Sequence, residues 1–531
     1  MAIALCTTSQ IRRAAATQAL DAIASDNAED INSIKKELSK RLGLSRVLGN
    51  GEIIGMARES GQLQLARQLR KSPIRSQSGV AVVAVMIRPT SCPYNCAYCP
   101  TSELAAKSYT GFEPAALRAR QNGFDAGRQV QARLGQFENN GHETSKCELI
   151  VMGGTFNAQP AEYQNEFMKS ALDAFNGSES GSLQQALREN ERAAHRVVAI
   201  TFETRPDCAG QTQVCSLVDM GATRIELGVQ SLDDGVLAKV MRGHGVAETA
   251  GATANCRDAL LKVGYHFMPG LYSTPKKDAG MFEKMFSDGR FKPDMLKIYP
   301  ALVVEGTKLH EWWKNGEFEP YDEEMAAEAI SECKRSVPPY CRIMRVDRDI
   351  PTHKIEAGVK KTNLRELVFK RCAEKGIKCR CIRCREIGIK ELKEKRKINL
   401  ENAALKRIDY AAAGGSEVFL SFEDEENDAL LGFVRLRKPG PNICRPEITP
   451  ATAGVRELRV YGEQVAVGRD SVGAAQHRGL GSRLLLEAER IAADEWKMEK
   501  LAVISGVGAR EYYYKRGYAL EGMYVTKALG S

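Results

Sequence analysis

Six short β-branched runs alternate with longer stretches of helical periodicity between residues 79 and 300, and this alternation limits the fold more than any other feature. The runs are "GVAVVAVMI" (79–87), "CELIVM" (147–152), "RVVAITFE" (196–203), "TRIELGV" (223–229), "VGYHFM" (263–268) and "DMLKIYP" (294–300). Strand, turn and helix repeated in this order make βαβ units, which build a parallel sheet. Six such units in about 220 residues predict an open or closed βα barrel. Function in barrels of this kind sits on the loops that follow the strands. Here those loops read "SCPYNCAYC", "GGTF", "TRPD", "QS", "PGL" and "KIYP", so the chemically distinctive residues fall on one edge.

The first of these loops, "RPTSCPYNCAYCPTSE" (89–104), gathers Cys92, Cys96 and Cys99, with Pro93 and Pro100 stopping a helix through it. Four cysteines would close a tetrahedral structural site. An iron–sulfur cube held by three thiolates leaves one iron open to a small molecule's amine and carboxylate. The spacing C-x₃-C-x₂-C after a first barrel strand, with Tyr98 before the third cysteine, resembles the radical S-adenosylmethionine superfamily. That resemblance implies a 4Fe-4S cluster on Cys92, Cys96 and Cys99. It also implies S-adenosylmethionine held at Gly153, Gly154 and Thr155 of "GGTF". Glu203 and Arg205 of "ETRPD", Gln230 of "GVQS" and Lys297 are expected as polar walls of the same pocket.

Downstream, "KRCAEKGIKCRCIRCREIG" (370–388) carries Cys372, Cys379, Cys381 and Cys384 at metal-ligand spacing. Four thiolates there predict a structural zinc that staples a segment with little core of its own, with His353 an alternative fourth ligand. The chain then changes to antiparallel strands ("SEVFLSFED", "LLGFVRLRK", "VRELRVYG"), the glycine loop "QHRGLG" (476–481) and a long amphipathic helix. Leu484, Leu485, Ala488, Ile491 and Ala492 repeat there at helical spacing. A glycine loop opening a helix aims free N–H groups at a phosphate. With the strand "KLAVISGV" and "EYYYKRGY" behind it, this region resembles the Gcn5-related N-acetyltransferase (GNAT) fold, in which the loop holds the pyrophosphate of coenzyme A.

Composition bounds the rest. With 531 residues, 43% hydrophobic and 27% charged, the chain is an ordinary multidomain globular protein. No apolar run approaches the ~18–20 residues that span a bilayer, and "MAIALCTTSQIRR", with its short apolar stretch and its charge order, is not expected to act as a secretory signal. A cytoplasmic location is expected, where the 15 cysteines serve as thiols or metal ligands. The net charge of +9 is unevenly placed. Residues 342–397 hold 19 Lys and Arg against 8 Asp and Glu, and residues 12–75 hold 12 against 7. Two basic segments flanking a neutral middle suit a polyanion such as nucleic acid.

Taken together, "SCPYNCAYCP", "SYTGFEP", "VMGGTF", "ITFETRPD", "IELGVQS", "LKIYPALVVEGT", "DIPTHKIEAGV", "CRCIRCREIG", "VRELRVYG", "QHRGLG" and "VISGVGAREYYYKRGY" resemble the family of Elongator catalytic subunits in its single-chain archaeal-type form. They cover roughly residues 80–527. The resemblance implies C5 carboxymethylation of the wobble uridine in a tRNA anticodon loop. A 5′-deoxyadenosyl radical would take hydrogen from the methyl of acetyl-coenzyme A (acetyl-CoA), the carbon radical would add to the base, and thioester hydrolysis would follow. It implies acetyl-CoA contacts at Lys146, at Glu457, Leu458, Arg459 and Val460, at Leu480, Gly481 and Ser482, and at Tyr513. Lys297, Glu203 and Tyr513 become the candidate catalytic residues, with the register among Tyr512, Tyr513 and Tyr514 open. Elongator-type subunits join tRNA and acetyl-CoA as partners it brings into view.

The expected architecture is α/β. A helical basic RNA-binding segment (1–76) precedes a partial parallel βα barrel of radical S-adenosylmethionine type (77–340). A cysteine-rich, zinc-bearing basic connector (341–400) leads to a GNAT-like α/β domain (401–531). The alternative activity is a protein lysine acetyltransferase with a structural iron–sulfur cluster, which needs a peptide groove and a general base at the thioester.

Overall fold

The computed structural model describes residues 8–25, 31–62, 64–65, 69, 79–90, 92–348, 350–394, 402–461 and 479–530. Gln476–Arg478 of the glycine loop, part of the first basic segment and the basic run 395–397 lie outside them.

Six strands form where the β-branched runs predict them: β1 (Ala81–Met86), β2 (Lys146–Met152), β3 (Arg196–Thr204), β4 (Arg224–Gln230), β5 (Lys262–Phe267) and β6 (Met295–Ile298). They pair in chain order, all parallel. Next come β7 (Val303–Val304), β8 (Arg342–Val346) and β9 (Ile355–Ala357). β8 adds to β6 in parallel as a seventh strand, while β7 and β9 make a separate antiparallel pair. The count of six is therefore one short, and the sheet runs past residue 340. "RIMRV" carries two arginines in five residues and sits on the sheet edge, so it lacks the apolar run of a central strand. β1 and β8 are the two edges, so the barrel is open among the described residues.

Period-two alternation gives each strand two faces. Ile225, Leu227 and Val229 of β4 enter the main core, as do Cys147, Leu149 and Val151 of β2. Arg224, Glu226, Gly228 and Gln230, and likewise Lys146, Glu148, Ile150 and Met152, line the two cavities described below, so the alternate face is the barrel lumen.

The second sheet is β10 (Ala404–Ala412), β11 (Gly415–Asp424), β12 (Ala429–Lys438), β13 (Thr452–Val460), β14 (Lys500–Val503), β15 (Ala519–Glu521) and β16 (Tyr524–Ala528), in the order β10-β11-β12-β13-β14-β16-β15. Only β13 and β14 run parallel, and the helix Leu480–Arg490 crosses between them, burying Leu484, Leu485 and Ala488. α1 (Thr8–Ser25), α2 (Ile31–Arg41) and α3 (Asn50–Glu59) form a small bundle with its own core of Ala15, Ala19, Leu20, Ile53 and Ile54. Arg12 clamps Glu52 through two bonds of 2.6 and 2.8 Å. The bundle docks on the barrel helix Ala126–Asn139 at Gly51, where a Cβ would lie 1.5 Å from the Asn139 carbonyl oxygen.

Barrel and C-terminal domain are joined by a fully buried ionic layer. Arg456 spans Asp294 with two bonds of 2.7 Å and Glu417 at 2.9 Å, and Arg257 reaches Glu417 at 2.7 Å. Arg437 pairs with Asp258 and with Glu417. Arg257, Arg437, Arg456 and their three carboxylates have no exposed side-chain surface. Charges this deep are tolerated because each guanidinium meets a carboxylate in hydrogen-bonding geometry.

Candidate active site

The lumen opens into two cavities, one at each end of the strands. At the C-terminal end lies a cavity of about 240 Å³ lined by Cys92, Cys96, Cys99, Gly154, Thr155, Glu203, Arg205, Gln230 and Lys297. Every residue expected there reaches it except Gly153, which lines an adjoining recess with Cys92 and Pro93. Gly153 (φ +123°) and Gly154 (φ +66°) hold backbone that side chains rarely permit, and a Cβ on Gly153 would sit 2.6 Å from Ile87. Arg205 and Arg242 point N–H groups at the Cys96 sulfur, at 3.4 and 3.3 Å. Cys99 contacts the Ser108 hydroxyl at 2.9 Å. The hydrogen bond from Cys99, reinforced by Arg242 and Arg205, holds the Cys96 thiol down to about 4, so this sulfur is set up as a thiolate.

Three thiols, two guanidinium groups and a glycine turn fit a cluster with one open iron. Two orphaned atoms fit a second ligand beside it: the Gln230 side-chain oxygen and the Tyr98 hydroxyl are buried without a hydrogen-bond partner among the described residues. Gln230 also holds φ at +67°, a strained conformation for a residue with a side chain.

Deeper in this cavity Lys297 donates to Glu203 at 2.8 Å and is ion-paired with Glu226. Glu226 accepts from His266 at 2.9 Å, and Tyr109 donates to Glu203 at 3.2 Å. Burial alone would lower the Lys297 ammonium and raise both carboxyls. The mutual attraction wins, so Lys297 stays protonated and Glu226 and Glu203 stay ionised. Sequence reasoning missed Arg242, Glu226, His266 and Tyr109. Polar residues at every second position of "TRIELGVQ" were the readable signal for Glu226.

The second cavity, about 550 Å³, lies at the N-terminal end of the same strands, against the C-terminal domain. Lys146, Glu457, Leu458, Arg459, Val460, Gly481, Ser482 and Tyr513 line it, so residues hundreds apart in sequence meet here. Leu480 does not; it is the buried first residue of its helix. Tyr512 and Tyr513 both face the cavity, whereas Tyr514 turns to Glu191 at 3.4 Å. Tyr512 keeps a buried hydroxyl without a partner among the described residues, and Arg516 lies 3.6 Å over its ring while donating to Ser482 at 2.8 Å. Arg196, Arg224 and Lys262, at the starts of β3, β4 and β5, join Lys146 at the start of β2 to give this end a cationic rim. Burial lowers the Lys146 and Lys262 ammonium groups, Lys262 to about 8. Helix Leu480–Arg490 points its N-terminus into the cavity through Gly479 (φ +74°) and Gly481. An elongated polyanion suits this combination.

In the connector, Cys379, Cys381 and Cys384 place their sulfurs within 4.8 Å of one another. Tetrahedral zinc with Zn–S near 2.3 Å spaces its sulfurs about 3.8 Å apart, so the trio fits a metal. Cys372, on helix Leu364–Glu374, is not part of that trio, and His353 instead stacks edge-on against Phe112 at 5.2 Å. Burial would lower the Lys334 ammonium, yet the four sulfurs around it carry it above its usual value. Many cations of this segment are already paired: Arg342 with Glu386, Arg371 with Glu324, Lys375 with Glu328 and Glu332, Arg385 with Glu423. The sequence count overstated the charge available to a partner.

Comparison with known proteins agrees with this geometry. Residues 86–285 match the Radical SAM superfamily, residues 293–374 the Radical_SAM C-terminal domain, and residues 389–518 the Acetyltransferase (GNAT) family. The class is therefore a radical S-adenosylmethionine half-barrel fused to an acetyltransferase domain. The chain is 47% identical over 509 residues to the tRNA uridine(34) acetyltransferase of Methanocaldococcus infernus, covering 94% of this chain and 95% of that one. It is 40% identical over 512 residues to human Elongator complex protein 3, covering 94% and 93%. The solved structure of the archaeal Methanocaldococcus infernus Elp3 with an N-terminal deletion superposes with a TM-score of 0.77 at 46% identity, covering 85% of this chain and 99% of that one. The chain belongs to the Elongator complex protein 3 family. No helix among the described residues is long and apolar enough to cross a membrane.

Proposed function

We propose that this protein carboxymethylates the wobble uridine of tRNA at C5, using acetyl-CoA and S-adenosylmethionine. The observation that carries the reading is the pair of cavities on one strand face, one lined by three thiols and two guanidinium groups, the other by a helix N-terminus and the basic ends of four strands. The relatives' names, tRNA uridine(34) acetyltransferase, support the substrate.

In this reading Cys92, Cys96 and Cys99 would hold a 4Fe-4S cluster, whose chemistry when bound would be one-electron reduction of S-adenosylmethionine to methionine and a 5′-deoxyadenosyl radical. Gly153, Gly154 and Thr155 hold the methionyl end, and Gln230 and Arg205 fix its orientation. Lys146, Glu457–Val460, Gly481, Ser482 and a tyrosine of the pair Tyr512 and Tyr513 hold acetyl-CoA. The hydrogen atom of the acetyl methyl would pass to the 5′ carbon of the deoxyadenosyl radical and the carbon radical would add to C5; the base radical so formed would return one electron to the oxidised cluster and lose its C5 proton, and hydrolysis of the thioester would leave the carboxymethyl group and free coenzyme A. Lys297 and Glu203 present a fixed proton donor and acceptor beside the reacting centre. Cys379, Cys381 and Cys384 would hold a zinc that staples the connector, with Cys372 the candidate fourth ligand. Exposed cations of the N-terminal bundle, such as Lys36 and Lys40, would meet the tRNA phosphates. A single-stranded anticodon loop offers its base at the lowest unstacking cost.

A lysine acetyltransferase would need its thioester to face an open peptide groove, whereas the large cavity leads toward Glu148 and Arg224 in the barrel lumen. The test is anaerobic reconstitution with S-adenosylmethionine, acetyl-CoA and tRNA, read by mass spectrometry. Deoxyadenosine together with carboxymethyluridine is expected, and both should vanish in Cys99→Ala. Acetylated peptide without deoxyadenosine would overturn the reading.

A further inference from the structure

The two cavities share one face of the same strands. On β2, Lys146 and Glu148 line the larger cavity, and Ile150 and Met152 line the smaller. On β4 the division falls between Arg224 and Glu226, and on the β5 side between Lys262 and His266. Four residues of strand advance about 13 Å, so the cavities are two ends of one lumen rather than remote sites. What separates them is an ion-paired bar. Arg224 is paired with Glu148 on the larger-cavity side, while its Nε lies 3.2 Å from Glu226 on the other. From Glu226 the chain of charges continues to Lys297 and Glu203. Beside the bar, in register with Glu226 on the neighbouring strand, β5 carries Gly264, whose missing Cβ would lie 3.2 Å from the Glu226 Cγ and 3.7 Å from the Met295 Cβ. The buried, ion-paired Arg224 narrows the lumen there, and a side chain at position 264 would crowd Glu226 at the same level.

We propose that the acetyl end of acetyl-CoA passes from the interdomain cavity to the cluster cavity through the barrel lumen, and that Arg224 is the side chain that closes this passage. This rests on the reading above, in which a hydrogen atom must leave the acetyl methyl at the C-terminal end while coenzyme A is held at the N-terminal end. A guanidinium held by carboxylates on two sides has an alternative partner whichever way it swings, so the passage opens without leaving the arginine unpaired. An apolar plug would be cheaper to bury. The ionic one gives a movable bar.

Acetyl-CoA carrying a trideuterated methyl tests the route with full-length, reconstituted protein, S-adenosylmethionine and tRNA. Each transfer breaks a C–D bond of the methyl and forms one at the 5′ carbon, so deuterated deoxyadenosine counts methyl groups that reach the cluster. Acetyl-CoA binding is measured separately by calorimetry. Wild type is expected to form deuterated product; if it forms only unlabelled deoxyadenosine, the proposed reaction fails and the passage with it. In Gly264→Val, a filled lumen should leave acetyl-CoA binding and total deoxyadenosine near wild type but cut the deuterated fraction by about 100-fold, the cost of a misplaced reactant. An unchanged fraction in a variant that binds acetyl-CoA would overturn the passage alone. Should Gly264→Val fail to fold, Arg224→Lys decides. Its single-point ammonium cannot hold both carboxylates as a planar fork does. The deuterated fraction should then rise, and an unchanged or lower fraction would overturn Arg224 as the closing residue.

Discussion

At Asp294 three guanidinium groups converge on one carboxylate, Arg456 at 2.7 Å through both oxygens and Arg257 and Arg435 at 3.4 Å. Removing it strands buried cations, so Asp294→Ala is expected to lower the unfolding free energy by about 3–5 kcal/mol in denaturant titration. Burial would raise the Asp294 and Glu417 carboxyls, but Arg257 and Arg456 among the facing guanidiniums hold both below the ordinary range. Unfolded, such groups titrate near 4. Their contribution is thus fully present above about pH 4 and is lost as the pH falls below it, so unfolding at pH 3 should need less denaturant than at pH 7. Lys262 works at the other end of the scale. It is lowered to about 8 by burial, against Glu457 and Glu148 and with Arg224 and Arg459. Acetyl-CoA affinity should weaken as pH rises through 8, and Lys262→Met should flatten that dependence in calorimetry. Asp294, Arg257, Arg435, Glu417, Arg456 and Lys262 did not stand out in the sequence, because a lone charge carries no sign of what faces it. The cysteines and glycines did, because their spacing is itself the chemistry.

Elements were more legible than their edges. β1 to β6 follow β-branched runs that have few other ways to fold, and the helix from Leu480 buries the apolar stripe its spacing marked. β8 and β10 escaped notice: "RIMRV" and "ALKRIDYAA" mix charge with apolar residues, as strands exposed along part of their length do. Gly506 marks where the C-terminal domain meets β3, since a Cβ would lie 2.2 Å from the Val198 carbonyl carbon. Gly506→Ala should therefore push the domains apart, weaken acetyl-CoA binding about tenfold or more and lower the melting temperature, while a zinc assay stays unchanged. The zinc proposed for the connector predicts that the protein carries one equivalent of the metal by elemental analysis and that Cys381→Ser loses it and destabilises the segment, because a metal site of this kind contributes folding free energy directly.

For the whole molecule, the decisive arrangement is one barrel with a cavity at each end. Barrel enzymes place their chemistry at the C-terminal face. Here the N-terminal face, where Lys146, Arg196, Arg224 and Lys262 begin their strands, lines a second cavity. The sequence separates Lys146 from Tyr513 by more than half the chain, so only the resemblance tied them together, while the strand face that both cavities share was invisible before the register was known. The most direct measurement is the fate of carbon-13 in the methyl of acetyl-CoA during an anaerobic reaction with S-adenosylmethionine and tRNA. The account expects the label in the C5 substituent of the wobble uridine, one per deoxyadenosine formed. Label found only in protein acetyl-lysine, or carboxymethyluridine formed without it, would contradict the account.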